Sequence, residues 1–168
     1  MEIEKIYVDM DRVLVDFDRG LLELCNFTPI NQDTCAKEQD DQLHLAMKEV
    51  PHFYGKLKPI EEGLDMFRII YEKYGNKCEI LSGIPTPDWG ILHTKSDKEE
   101  WVKKYMGPEI IVHAVYRKEK GNYCKGSKYL LIDDSTRNIN AWTAAGGTGI
   151  LHTSQGQTIE ILRKLGVL

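Results

Sequence analysis

The sequence has few cysteines, no excess of basic residues and no long hydrophobic run. Its four cysteines, in 168 residues, form no C-x-x-C pair, which argues against a zinc knuckle, a thioredoxin-type site or a dense disulfide framework. The formal net charge is −4, whereas proteins that coat nucleic acid usually carry a basic excess. No apolar run approaches the roughly 18 residues of a membrane span. The charged N-terminus also lacks the features of a signal peptide. We therefore expect a cytoplasmic protein that binds neither a nucleic-acid polymer nor a membrane.

Several sequence markers of common enzyme sites are also missing. There is no G-x-S-x-G, no P-loop and no G-x-G-x-x-G motif. The five histidines show no spacing typical of metal ligands, so we expect them to be surface or packing residues. Any catalytic site must therefore be built from other residue types.

Short apolar runs alternate with amphipathic patterns along the chain. The runs cover residues 6–8, 78–81, 110–115, 130–132 and 149–152. Continuous apolar runs of this length are typical of strands buried on both faces of a parallel sheet. Between them, the spacing from Leu64 to Tyr74 predicts a helix, and Ser96-Asp97-Lys98-Glu99 predicts the capping box of another. This alternation predicts an α/β fold, a parallel sheet flanked by helices.

Residues 19–58 differ from the rest of the chain. They are more polar and are interrupted around Pro29 and Pro51, while residues 43–50 predict one helix. We expect a small, mostly helical lobe inserted after the first strand, and a core formed by residues 1–18 and 59–168. At this length the two parts are expected to form one compact unit.

Two pairs of carboxylates follow predicted strands. Asp9 and Asp11 follow the first strand, and Asp133 and Asp134 follow the run at 130–132. Ligands of an open parallel sheet bind at the carboxyl ends of its strands, so the two pairs are expected to meet. Each pair alone is as well explained by a turn, but together they predict a cation site, and oxygen ligands favour Mg2+.

A third predicted strand end adds groups suited to phosphate. The hydroxyl of Ser82 and the backbone of Gly83 could hold phosphate oxygens, although an ordinary Ser-Gly turn would be the favoured interpretation of this pair alone. The basic run at 117–120 precedes the Asp133 strand, and one of its lysines could reach the phosphate as a point charge. We expect most charges of this run to be solvated.

These residues together resemble the four-motif signature of the haloacid dehalogenase (HAD) superfamily, and most closely its 5'(3')-deoxyribonucleotidases. The resemblance rests on four sets of residues: Asp9-Met10-Asp11 through Asp16-Phe17; Phe53-Tyr54 with Leu57 and Pro59; residues 98–107; and Leu131-Ile132-Asp133-Asp134 with the stretch 138–147. It is thin from about residue 23 to 48. It implies a Rossmann-like core with a small helical cap inserted after the first motif.

The resemblance also implies roles for individual residues. Asp9 would be the nucleophile and Asp11 the general acid/base, while Ser82, Gly83 and Lys120 would bind phosphate. Asp134 would ligate Mg2+ with Asp133 beside it, and Asp9 and the backbone carbonyl of Asp11 would complete the protein ligands. A carboxylate attack on phosphorus would give an aspartyl-phosphate, which divides one difficult hydrolysis into two easier steps. The expected partner is a small phosphomonoester, and a homodimer remains an open alternative.

The sequence departs from the family pattern in three places. The cap, which usually selects the substrate in this family, is poorly matched. Arg12 stands where the family usually has a small residue, often glycine, so it could narrow the entrance or add a phosphate contact. The third motif is loosely spaced, which leaves Lys118 and Lys125 as alternatives to Lys120.

The expected activity is Mg2+-dependent hydrolysis of (deoxy)nucleoside monophosphates, and three aromatic residues are candidates for the substrate pocket. Phe17, Phe53 and Tyr54 could enclose the sugar and base, or could simply pack cap against core. One alternative is a phosphatase for another small phosphomonoester, such as a sugar phosphate. Another is a receiver-like signalling module, although such a module usually places its phospho-acceptor where this chain has Ser82. An inactive nucleotide-binding relative is a third.

Overall fold

A computed structural model describes residues 1–168 as a five-stranded parallel sheet with helices packed on it. The strands are β1 (Lys5–Val8), β2 (Cys78–Ile84), β3 (Val112–Tyr116), β4 (Tyr129–Asp133) and β5 (Thr148–Leu151). The helices are α1 (Phe17–Cys25), α2 (Lys37–Lys48), α3 (Glu61–Tyr74), α4 (Thr94–Tyr105), α5 (Thr136–Ala144) and α6 (Gln155–Lys164). The predicted α/β class is confirmed. No helix combines the length and the apolar character that a membrane span requires.

The sheet order, β3-β2-β1-β4-β5, places the first strand at the centre. Ile6 and Val8 of β1 have no exposed surface, as expected for a strand covered on both faces. Val8 lies opposite Ile80 of β2 and Ile132 of β4. The segments that follow β1 and β4 therefore leave the sheet side by side, at its carboxyl edge.

Some element boundaries differ from the predicted ones. Strand β2 runs to Ile84, so Ser82 and Gly83 lie within a strand that pairs with β3 and do not follow its end. Helix α4 begins at Thr94, with His93 as its N-cap, so the capping box predicted at residues 96–99 is wrong. The Ser96 hydroxyl instead donates backwards to the carbonyl of His93 at 3.1 Å. The earlier start agrees with the packing of the helix, since Thr94, Asp97 and Trp101 are all buried in α4.

The segment between β1 and α3 carries α1, α2 and a 3-10 turn, Phe53–Lys56. The helix predicted at 43–50 is the C-terminal half of α2, where Leu43 and Met47 are buried and Leu45 is exposed. Between α1 and α2, residues 26–36 form an irregular connection that we call the α1–α2 connection. Both helices and the connection lie over the carboxyl edge of the sheet, where the connection lines a cleft.

Candidate active site

Two aspartates and a lysine form a buried cluster at the base of this cleft, and two of the three, Asp9 and Lys120, line it. Asp9 and Asp133 come one residue after the paired Val8 and Ile132, and the Asp9 amide donates to the Ile132 carbonyl at 2.9 Å. Lys120, in the 3-10 segment Arg117–Tyr123, donates to Asp9 Oδ1 at 3.0 Å and to Asp133 Oδ2 at 2.8 Å. All three side chains are buried. The structure thus brings together three of the residues that the sequence singled out.

The adjacent Asp133 and Asp134 have different surroundings. Asp133 is saturated, because Oδ1 accepts the Ser135 amide and Oδ2 accepts both Lys120 and the Asn138 side-chain amide. Asp134 makes no hydrogen bond or ion pair, although its carboxylate lies within 4.8 Å of those of Asp9 and Asp133. Asp133 therefore holds Lys120 in place, and Asp134 is the carboxylate that remains free to bind a ligand.

The electrostatics of the cluster call for a further positive charge. Burial, together with the charges of Asp9 and Asp133, raises the pKa of Asp134 to about 8. Burial acts to lower the pKa of Lys120, but the two carboxylates outweigh it and raise that pKa. The ammonium is therefore permanently charged, yet it does not compensate three carboxylates. The donor set consists entirely of oxygens and so fits a hard divalent cation such as Mg2+.

Asp11 stands apart from this cluster and pairs with a different lysine. Lys98 of α4 donates to Asp11 Oδ2 at 2.9 Å, to Ser82 Oγ at 2.7 Å and to the Gly83 carbonyl at 2.9 Å. The Lys98 side chain is only 1% exposed, and its ammonium lies 4.6 Å from the centre of the Tyr54 ring. The other oxygen of Asp11 is buried without a partner. Sequence analysis placed Lys98 in the stretch 98–107 that resembles the family but gave it no role in the site.

The cleft above these residues has a volume of about 890 Å³. Asp9, Asp11, Gly83, Lys120 and Asp134 line its floor. Of the three lysines that were alternatives, Lys120 reaches the carboxylates, whereas Lys118 and Lys125 are exposed. Ser82 has no exposed surface and does not line the cleft, whereas its neighbour Gly83 does.

Known proteins are similar to this chain over more than three quarters of its length. No family model matches the chain. A human cytosolic-type 5'(3')-deoxyribonucleotidase is 30% identical over 146 residues, which cover 77% of this chain and 70% of that protein. The chain belongs to the 5'(3')-deoxyribonucleotidase family. A protein of Vibrio phage KVP40, assigned the same activity, is 28% identical over 137 residues, covering 79% of this chain and 67% of that one.

Solved structures agree with this membership at the level of the fold. A HAD-superfamily hydrolase of Ehrlichia chaffeensis superposes with a TM-score of 0.58 at 11% identity, covering 98% of each chain. The predicted resemblance is thereby confirmed. The membership makes the protein a hydrolase of phosphoric monoesters, and its fold is that of HAD-superfamily hydrolases.

The aromatic residues predicted for the nucleotidase pocket divide into two groups. Phe17 and Tyr54 line the cleft, with ring centres 6.4 Å apart. Phe53 does not line it, because its side chain is 1% exposed and packs edge-on against both of the others. At the rim, Trp89 stacks on His44 of α2 at 4.3 Å, and both face the cleft. Sequence analysis gave neither of these two residues a role.

The α1–α2 connection is held by hydrogen bonds to the loop that follows β1 and to the loop that follows β4. Asp33 accepts the Ser135 hydroxyl at 2.9 Å, one residue from Asp134, and the Arg137 amide at 3.3 Å. Arg12, one residue from Asp11, donates to the Ile30 carbonyl at 2.9 Å. Nε and Nη2 of Arg12 are engaged with protein groups, and the phosphate contact given as an alternative for Arg12 stays a prediction.

Proposed function

We propose that the protein is a Mg2+-dependent 5'(3')-deoxyribonucleotidase that dephosphorylates deoxynucleoside monophosphates through an aspartyl-phosphate. The observation that carries this proposal is the arrangement on the cleft floor. Asp9 Oδ1 is held by Lys120, and Asp9 Oδ2 accepts no hydrogen bond and is free to attack. The substrate class comes from the names of the human and phage relatives.

The carboxylates of Asp9 and Asp134 support a Mg2+ site, which the backbone carbonyl of Asp11 would complete. When bound, Mg2+ would neutralise charge on the phosphoryl group and orient it for in-line displacement. Asp133 lies within reach, but its oxygens are occupied by protein donors. We therefore assign it the positioning of Lys120 and leave the metal to its neighbours.

The chain's own residues account for the remaining steps. Asp9 Oδ2 forms a bond to phosphorus while the ester P–O bond breaks, and Asp11 gives a proton to the departing alkoxide. Asp11 then takes a proton from the water that attacks phosphorus, and inorganic phosphate and free Asp9 result. Lys120 and the Gly83 backbone stabilise phosphate oxygens on the cleft floor. Ser82 Oγ accepts from Lys98 and has no exposed surface, so we assign Ser82 the positioning of Lys98 and leave the phosphate to Lys120 and Gly83.

The cap and the cleft walls would select the leaving group. We assign residues 19–58 to the cap and 1–18 with 59–168 to the core. We also expect a cytoplasmic location. Phe17 and Tyr54 form an apolar wall that would leave a ribose 2'-hydroxyl without a partner. Such an unpaired hydroxyl costs about 1–3 kcal/mol. This gives a preference for deoxyribose of about 5- to 100-fold, since an apolar pocket cannot reject an added hydroxyl more strongly.

The deciding experiment measures kcat/KM for a deoxynucleoside monophosphate, its ribonucleotide counterpart and a sugar phosphate, each with Mg2+ and with chelator. We expect the order deoxynucleotide, ribonucleotide, sugar phosphate, and no turnover in chelator. Equal values for the two nucleotides would refute the sugar preference. A preference for the sugar phosphate would replace the substrate while leaving the phosphatase chemistry intact.

The role of Asp11 has its own test in the dependence on leaving group. Asp11→Asn should slow single-turnover phosphorylation strongly for nucleotides and much less for an aryl phosphate, whose leaving group needs no proton. Phosphoenzyme breakdown should be slow for both substrates, because it is the same step. An equal loss of phosphorylation across leaving groups would show that Asp11 only positions other groups.

A further inference from the structure

Arg12 holds an unusual backbone conformation within residues 9–16, the loop between β1 and α1 that we call the catalytic loop. Its φ is +67°, in the left-handed region that residues with a Cβ rarely adopt. Its amide donates to the Val15 carbonyl at 2.8 Å, which closes the loop directly after Asp11. A non-glycine residue persists in such a conformation when the surrounding structure holds it there, and such strain gathers at functional sites.

The side chain of Arg12 makes three contacts, and all of them lie on the wall of the cleft. Nε donates to Asp18 Oδ1 at 2.8 Å, and Nη2 donates to the Ile30 carbonyl at 2.9 Å. The guanidinium carbon lies 5.1 Å from the centre of the Phe17 ring. The side chain is 22% exposed, so solvent screens these contacts only in part. One side chain therefore joins the catalytic loop, α1 and the α1–α2 connection.

The position of that connection determines the shape of the leaving-group end of the cleft. Residues 29–33 of the connection line the cleft together with Tyr54 and Trp89. Asp33 fastens the connection to the Asp134 loop, and Arg12 fastens it to the Asp11 loop at Ile30. Without Arg12, the Ile30 end of the wall has no polar tie to the loop that carries the nucleophile.

We propose that Arg12 is a specificity-determining residue, which sets the width of the leaving-group end of the cleft by tying Ile30 to the catalytic loop and covering Phe17. This inference rests on the proposed function, since it concerns the same site. By this proposal, Arg12 decides whether the enzyme prefers a substrate with a nucleoside leaving group or one with a smaller leaving group, although Arg12 takes no part in phosphoryl transfer. A small aryl group does not need the far wall, whereas a nucleoside spans the cleft and contacts it.

The test compares Arg12→Gly and Arg12→Gln with wild type on a deoxynucleoside monophosphate and on p-nitrophenyl phosphate. Glycine relieves the backbone strain and removes the side chain, while glutamine retains the backbone strain and the stem but loses the charged fork. Both variants should lower the nucleotide-to-aryl ratio of kcat/KM by about tenfold, the effect of one charge-assisted hydrogen bond. The matched control is Asn26→Gly, which changes another left-handed residue (φ 49°) that is exposed and has no side-chain bond, and should leave the ratio unchanged.

The outcomes separate this inference from the function on which it rests. An unchanged ratio in either variant, or an equal loss on both substrates, overturns the role of Arg12. If Arg12→Gly fails to fold, Arg12→Gln carries the test by itself. A wild-type protein that hydrolyses the aryl phosphate but no nucleotide refutes the proposed function, and the ratio is then measured with the best ester from a phosphomonoester panel.

Discussion

At the scale of single residues, the site depends on which partner each charge has. Asp9 and Asp11 are two positions apart, yet each pairs with its own lysine, Lys120 and Lys98 respectively. Both lysines are almost fully buried and both reach the site from distant parts of the chain. Asp9 and Asp11, the proposed nucleophile and acid/base, are thus held independently, and a substitution at one lysine should affect one role more than the other.

Asp9→Asn should abolish turnover while the fold is retained, because an amide oxygen cannot form the acyl phosphate. Loss of activity would be measured with a deoxynucleoside monophosphate, and the fold would be checked by circular dichroism. In the wild type, beryllium fluoride should form an adduct at Asp9 that the variant cannot form. Wild-type-like turnover by Asp9→Asn would remove Asp9 from the role of nucleophile.

Lys98→Met should lower both activity and stability. Methionine retains the length of the side chain but leaves Asp11 Oδ2, Ser82 Oγ and the Gly83 carbonyl without their donor. Because these hydrogen bonds involve a charged group, we expect their loss to lower the free energy of unfolding by about 2–3 kcal/mol, measured by urea unfolding. We also expect kcat to change more than KM. Lys103→Met on the exposed face of the same helix serves as the control and should change neither quantity measurably.

Sequence could identify most residues of the site but not their pairing. Strand-end carboxylates are visible because a short apolar run stops at a charge, as at Val8-Asp9 and Ile132-Asp133. The sequence does not show that Asp133 and Asp134 have different surroundings, because these depend on the direction in which each side chain points at the end of β4. Lys98 was missed because the pattern around it resembled a capping box, and only tertiary packing places its ammonium under Asp11.

At the scale of elements, helix α3 supports the catalytic loop from outside the cleft. Gly63, in its first turn, lies against the loop so closely that an added Cβ would come within 2.1 Å of the Val13 carbonyl oxygen. The nearest atoms belong to the backbone and cannot rotate away. The absence of a side chain at this position therefore allows α3 to pack against residues 13–14.

Gly63→Ala should destabilise the protein despite the higher helix propensity of alanine. Either α3 or the catalytic loop must shift, and we expect a loss of about 1–3 kcal/mol, with reduced kcat, measured by urea unfolding and steady-state kinetics. The matched variant is Gly156→Ala in α6, where an added Cβ meets no atom within 4 Å. That variant should be more stable by up to about 1 kcal/mol. Equal effects of the two substitutions would contradict the close approach at Gly63.

At the scale of the whole molecule, the site is a junction of three neighbouring strands and a cap. Asp9, Gly83 and Asp134 come from β1, β2 and the end of β4, which are adjacent in the sheet order. The apolar runs were enough to predict a parallel sheet, whereas nothing in the sequence predicted the tertiary path of residues 26–36. That connection has no periodicity, and its position depends on single bonds such as Asp33 to Ser135.

Mg2+ should stabilise the folded protein, because the three carboxylates converge only in the native state. At a concentration 100 times its Kd, linkage predicts about 2.7 kcal/mol, or roughly 5–10 °C in Tm for a domain of this size. Differential scanning fluorimetry in chelator and in Mg2+, at matched ionic strength, measures the shift. Asp134→Asn should lose most of it, and an identical shift in the variant would exclude Asp134 as a ligand.

The central place of β1 in the sheet has a consequence for how the chain reaches its native state. Strand β1 pairs with β2, which begins at Cys78, and with β4, which begins at Tyr129. Both partners of β1 are therefore synthesised long after β1 itself. Until then Ile6-Tyr7-Val8 is an apolar strand with two open edges, a segment prone to intermolecular association. Parallel pairing over such separations is slow, because loop closure precedes any gain from the contacts. Asp9, the proposed nucleophile, directly follows this strand, whose pairing cannot be completed until β4 has been synthesised. We therefore expect enzymatic activity to appear late in folding.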